Sequence, residues 1–167
     1  MIDEELTTAA ARVLDLCRAR GLTIVTAESC TGGLVAAALT EIAGSSDVVE
    51  GGFITYSNEA KQDMLAVPAD VLAEHGAVSA ETAAAMAQGA LAQSDADLAI
   101  AATGIAGPGG GSAAKPVGLV HFAAASPEGD EILREKRFGD IGRGEVRRLS
   151  VLEALALLEE LALRYTL

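Results

Sequence analysis

Leu6, Ala10, Val13, Leu14 and Cys17 recur at three- and four-residue spacing between residues 3 and 20, with polar residues filling the intervals. That period predicts an amphipathic helix with one buried face. Gly21 stands where such a helix ends. Leu22 to Ala27 is short, apolar and β-branched at its centre, the pattern of a buried strand. A second helical period runs over 31–43 and closes at Gly44. Gly52 to Tyr56 predicts another strand, and Asn58 the cap of a short helix carrying Lys61. Pro68 opens a helical turn from Ala69 to Glu74, and Ser79 caps an alanine-rich helix reaching about Gln93. Asp97 to Thr103 predicts a strand, and Gly104 to Pro116 a glycine- and proline-rich loop. Val117 to Ala125 and Glu131 to Phe138 predict two strands joined by the turn Ser126 to Asp130. A last helix is expected from about Gly144 to Tyr165.

Strands alternate with helices through most of the chain, and a hairpin follows late. The expected fold is therefore α/β: a three-layer α/β/α sandwich with a mixed, mostly parallel sheet. No repeat or linker interrupts it, so residues 1–167 are expected to form a single domain. Alanine dominates the apolar half of the composition and aromatics make up only 3 %, which suits close helix–sheet packing and gives few platforms for stacking bases. The net charge of −12 opposes binding to nucleic acid and to anionic membranes. A small anionic ligand then needs local cations, and Lys61, Lys115, Arg143 and Arg147 are the candidates. Two cysteines without a signal-peptide pattern predict reduced thiols and a cytoplasmic location. No apolar run reaches spanning length. Two separated histidines and no spaced cysteine pair predict neither a metal site nor a cofactor.

Four segments carry candidate chemistry. Ala27-Glu28-Ser29-Cys30-Thr31-Gly32-Gly33 lies between a strand and a helix, where Ser29 would project at the carboxyl edge of the sheet. The amides after it, at a helix N-terminus, suit an oxyanion or a phosphate. Spacing alone favours a plainer reading, with Ser29 or Thr31 capping the helix. Cys30 is a rival nucleophile, but neither His75 nor His121 is placed as its base, so it reads as a core thiol. The second segment, Gly52 to Lys61, brings Tyr56 and Lys61 toward the same edge. Judged alone, Lys61 reads as a solvated helix lysine; as a base it would need a lowered pKa. The third, Ala102 to Gly118, completes neither a Walker loop nor a dinucleotide fingerprint, and its amides follow a strand. The fourth, Phe138 to Arg147, sets Arg143 and Arg147 four residues apart on one helix face, as a phosphate fork or as a solvated face.

Together and in this order the segments are specific. The chain resembles the CinA C-terminal domain family, through A-E-S-C-T-G-G at 27–33, A-G-S-S at 43–46, G-F-I-T-Y-S-N-E-A-K at 52–61, H-G-A-V-S at 75–79, T-G-I-A-G-P at 103–108, K-P-V-G at 115–118 and R-x-x-V-R at 143–147. The long N-terminal domain of full CinA proteins has no counterpart in these 167 residues, so the stand-alone form, a nicotinamide-nucleotide amidohydrolase, is expected. The resemblance implies that the carboxamide of nicotinamide mononucleotide is hydrolysed to nicotinate mononucleotide and ammonia. It makes Ser29 the nucleophile, with Tyr56 and Lys61 assisting: Lys61 as base and Tyr56 to orient it or relay a proton. The expected substrate contacts are Cys30, Thr31, Gly32, Gly33, Asn58, Thr103, Gly104 and Arg143. A homodimer is implied as well. In one place the chain departs from the family pattern: Ile141 and Gly142 intervene between Asp140 and Arg143, which reads as a two-residue insertion. The alternative function is non-catalytic, a pyridine-nucleotide-binding or competence- and damage-associated interaction module.

Overall fold

The structure, a computed structural model, describes residues 2–165. In chain order the elements are α1 (Glu4–Arg20), β1 (Ile24–Glu28), α2 (Leu34–Thr40), a 3-10 turn (Ser45–Asp47), β2 (Val49–Ile54), α3 (Asn58–Leu65), α4 (Ala69–His75), α5 (Ala80–Ala92), β3 (Leu98–Gly104), β4 (Leu119–Ala125), β5 (Glu131–Arg137) and α6 (Arg143–Arg164). The five strands form one sheet in the order β2-β1-β3-β4-β5. β1 pairs in parallel with both β2 and β3. β4 runs against β3 and β5, so four of the five strands point the same way and the expected mixed sheet is present.

Strand side chains alternate between two cores. Ile24, Leu98, Ile100, Val120 and Phe122 face α1, α2 and α6. Val25, Ala27, Ala99, Ala101, Ala123 and Ala125 face the other side, where they meet Ala83, Ala87 and Ala90 of α5 together with Leu65 and Leu72. The alanine bias is thus local: small residues on both partners let α5 lie close over the sheet. The result is the expected sandwich, three helices on each face.

Local signals held where one residue decides them. Gly21 ends α1 in the left-handed conformation, and the Ser79 hydroxyl accepts from the Thr82 amide to cap α5. Several boundaries moved: α2 ends at Thr40 rather than at residue 43, β2 ends at Ile54 rather than at Tyr56, β4 starts at Leu119 rather than at Val117, and three further differences bear on the site. Gly32 and Gly33 both take positive φ, so helical geometry begins only at Leu34 rather than at residue 31. β2 starts earlier than expected, at Val49, because β1 pairs with Val49 and Gly51 across a register shift at Glu50, extending an edge strand whose outer face is solvated. Ser57, not Asn58, caps α3, its hydroxyl accepting from the Ala60 amide at 3.0 Å.

Gly89 on α5 sets the distance to α3. A Cβ there would fall 2.0 Å from the Leu65 carbonyl oxygen and 2.9 Å from its Cβ. Gly89→Ala must push α3 away, an overpacking cost of about 1–3 kcal/mol. The expected fall in melting temperature is roughly 2–12 °C for a chain of this size. Thermal denaturation checks this, with Gly51→Ala, whose Cβ meets nothing within 4 Å, as the near-neutral control.

Candidate active site

β1, β2 and β3 are parallel neighbours, so their carboxyl ends share one edge of the sheet. There the chain turns at Ser29, at Thr55-Tyr56 and at Thr103-Gly104. Loops at this edge of an α/β sheet are the usual place for a ligand. A cavity of about 260 Å³ opens between them, lined by Ser29, Cys30, Tyr56, Lys61, Ala77, Val78, Thr103, Gly104, the loop 105–107, Gly109, Gly110 and Arg143.

Lys61 is the unexpected side chain. It is 1 % exposed and among the largest fully buried residues, not a solvated helix lysine. Its Nζ donates to the Thr55 carbonyl at 2.7 Å and lies 3.0 Å from Ser29 Oγ. Burial pushes its pKa below the usual 10.5, because the ammonium loses its hydration. A hydroxyl in hydrogen-bond contact with an amine that deprotonates readily is a nucleophile–base pair. Ser29 therefore does not cap α2. Neither does Thr31; the cap position falls to Gly33, with no side-chain bond. The carboxylate of Glu28 takes that task from the end of β1, accepting from the amides of Val35 at 2.8 Å and Ala36 at 3.1 Å. The first free amides of α2 are thus occupied and not open to an oxyanion.

Cys30 shares the turn, but its side chain belongs to the core on the α1, α2 and α6 side. Burial pushes its thiol up to about 12, so it stays protonated. A buried neutral thiol is a poor rival to Ser29.

Tyr56 lines the cavity but makes no hydrogen bond to Lys61. Its hydroxyl accepts from Arg143 Nη2 at 2.8 Å, and the Thr55 carbonyl holds the lysine instead. Arg143 opens α6 and also donates to the Gly107 carbonyl at 2.9 Å, bridging the glycine loop and Tyr56 across the cavity mouth. Gly142, directly before it, takes a positive φ and turns the chain into α6. Arg147, the second arginine of the expected fork, points elsewhere, to the carbonyls of Cys30 and Thr31. Thr103 is 1 % exposed and its hydroxyl donates to the Ala77 carbonyl at 2.6 Å, tying the 75–79 segment to β3. Gly104 lines the cavity; Thr31, Gly32, Gly33 and Asn58 do not, since the turn carries the first three past it and Asn58 faces solvent.

The charges are sorted. Arg12, Arg18, Arg134, Lys136, Arg137, Arg148 and Arg164 each have a carboxylate within ion-pair distance. Among the described residues Arg20, Lys61, Lys115, Arg143 and Arg147 have none: Arg20 donates to the Tyr165 carbonyl at the end of α1, Lys115 to the His75 carbonyl, Lys61 and Arg143 line the cavity, and Arg147 grips the turn after Ser29. In a protein with a net charge of −12, Lys61 and Arg143 thus leave two cations without carboxylate partners in the cavity, where an anion would have to bind. Among the described residues no three His, Cys, Asp or Glu side chains gather as metal ligands.

Sequence reasoning missed Glu28, Thr55, Ala77 and Val78. Glu28 carried a signal, as a carboxylate placed directly before a candidate nucleophile. Thr55 acts through a backbone carbonyl, which leaves no trace in side-chain identity.

Fold and cavity together define an α/β protein that pairs a serine hydroxyl with a desolvated lysine at the carboxyl edge of its sheet. The family model of the CinA C-terminal domain matches residues 6–162, and the chain belongs to that family. It is 50 % identical over 167 residues to the nicotinamide-nucleotide amidohydrolase PncC of Escherichia coli strain K12, covering 99 % of this chain and 100 % of that protein. It is 57 % identical over 147 residues to a CinA-like protein of Synechococcus sp. strain RCC307, but spans only 35 % of that longer chain. The crystal structure of a competence/damage-inducible protein from Agrobacterium tumefaciens superposes with a TM-score of 0.95 at 53 % identity, covering 96 % of this chain and 98 % of that one.

Proposed function

We propose that the chain is an amidohydrolase that converts nicotinamide mononucleotide to nicotinate mononucleotide and ammonia. The observation that carries the reading is Lys61, buried with Nζ 3.0 Å from Ser29 Oγ and with no carboxylate to neutralise it. The full-length similarity to an amidohydrolase of nicotinamide nucleotides supplies the substrate class.

Neutral Lys61 takes the Ser29 proton as Oγ attacks the carboxamide carbon. The carbonyl oxygen becomes an oxyanion. As it collapses, the C–N bond breaks and Lys61 returns the proton to the departing nitrogen, releasing ammonia. Water, deprotonated by the same amine, then cleaves the acyl ester. Tyr56 does not relay a proton in this scheme; it holds Arg143 at the mouth, where the guanidinium trades its phenol and carbonyl partners for the substrate phosphate.

The phosphate assignment has its own test. Arg143→Ala raises KM for the mononucleotide by roughly 10- to 100-fold, the worth of one or two charge-assisted bonds, and leaves kcat within a few-fold. The unphosphorylated riboside shows little of this penalty. A KM unchanged in Arg143→Ala removes Arg143 from the substrate site.

The same reading has the 167 residues working as a single domain, in the cytoplasm, as a homodimer. Cys17 and Cys30, both free and buried, fit a reducing compartment. No helix among the described residues is long and apolar enough to cross a membrane. Ile54 and Met64, both exposed, leave apolar surface for a second copy to cover.

A further inference from the structure

The turn after Ser29 is clamped from outside the site. Ser29 N donates to the Ala102 carbonyl at 2.9 Å, and Gly32 N folds back onto the Ser29 carbonyl at 3.0 Å. From the second turn of α6, Arg147 Nε donates to the Cys30 carbonyl at 3.1 Å and Nη2 to the Thr31 carbonyl at 3.1 Å. Thr31 O also accepts from Leu34 N at 3.0 Å. Both peptide groups that flank Cys30 are therefore fixed, one by the Gly32 bond and one by Arg147. A peptide is planar, so Arg147's hold on the Thr31 carbonyl sets the Gly32 N–H, and the Gly32 bond to the Ser29 carbonyl in turn sets the Cys30 N–H on the far side of that peptide. Cys30 lines the cavity while its side chain lies in the core, and among the described residues its N–H donates to no protein oxygen. It is the amide that follows the nucleophile, the usual first donor of an oxyanion hole.

We propose that Arg147 is a positioning residue: its two-pronged hold on the Cys30 and Thr31 carbonyls keeps the Cys30 N–H aimed at the oxyanion formed on a carbonyl attacked by Ser29. This rests on the amidohydrolase reading. It separates the two arginines of one helix face, Arg143 for the ligand and Arg147 for the turn. Arg147 has no carboxylate partner because two backbone carbonyls fill its fork. The turn is shaped for it. Gly32 takes φ +57°, and a Cβ there would sit 3.4 Å from Arg147 Nη2. Lysine keeps the charge but cannot grip two carbonyls in one plane.

The test compares wild type with Arg147→Lys in two assays. With nicotinamide mononucleotide, kcat falls by about 100-fold, as for loss of one oxyanion donor, while KM stays within a few-fold. With a fluorophosphonate, Ser29 Oγ bonds phosphorus, fluoride leaves and Lys61 takes the proton; the endpoint counts competent sites and the rate reads the oxyanion donors. The expected result is an unchanged endpoint and a rate at least about tenfold slower. Added guanidinium ion restores part of the rate in Arg147→Ala. An equal rate per competent site overturns the proposal, since a merely structural role lowers only the endpoint. A raised KM with kcat intact overturns it too, because Arg147 would then bind substrate. If wild type reacts with the fluorophosphonate but leaves the mononucleotide intact, the amidohydrolase reading fails and the rate ratio still decides the role of Arg147. A wild-type chain that reacts with neither overturns both.

Discussion

Ser29→Ala lowers kcat for nicotinamide mononucleotide by about 10⁴-fold or more, with KM little changed. The size follows from what remains. A water molecule could replace the serine as nucleophile, but Lys61 is aimed at Oγ, 3.0 Å away, and water held where Oγ stood lacks the covalent step. In hydrolases whose nucleophile and base act as a unit, removing the nucleophile leaves only binding and oxyanion stabilisation, roughly 10³- to 10⁴-fold over water. Cys30→Ala is the control. Its thiol is protonated and packed in the core, so kcat for that variant stays within several-fold of wild type. Steady-state ammonia release measures both.

The second large effect is at Lys61. Lys61→Met removes the base and lowers kcat by about 10³-fold or more; the double variant with Ser29→Ala is hardly worse than either single one, because the two act on one proton. In wild type, kcat/KM rises with pH along a limb whose apparent pKa lies below 10.5, and that limb is absent from Lys61→Met. Stability moves the other way. The folded pKa is depressed, so between that value and 10.5 the unfolded chain binds more protons than the folded one, and stability increases with pH across the window. Below the window a buried ammonium costs stability in full; above 10.5 the cost is gone. Lys61→Met, of similar length and without the charge, therefore melts higher than wild type near neutral pH, and the gap closes as pH rises toward 10.5. A variant that is more stable and inactive marks strain kept for function.

What could be read before folding, and what could not, divides by the kind of atom involved. Gly21 and Ser79 announced helix ends because each does its work within a few residues of itself. The alternation of strands and helices fixed the sandwich, and the four segments did converge on one sheet edge. Lys61 looked like a surface lysine because burial depends on α3 docking under α5 through Gly89, a contact between distant segments. Arg143 and Arg147 looked equivalent because helix period records the face, not which carbonyl lies opposite. Thr55, Gly107, Cys30 and Thr31 contribute carbonyl oxygens that every residue owns. Glu28 lies beside Ser29 in the sequence, yet its partners are amides of a helix that starts three residues later than its period predicts. β2 starts earlier than its own pattern predicts for a similar reason, since Val49 and Gly51 join the strand through pairing with β1, around an unpaired Glu50.

The most direct measurement follows ammonia and nicotinate mononucleotide together when the wild-type chain is incubated with nicotinamide mononucleotide, beside Ser29→Ala. The account predicts one ammonia for each nicotinate mononucleotide formed by wild type and neither product above background from the variant. Mononucleotide recovered intact from wild type, or ammonia released equally fast by Ser29→Ala, would contradict it.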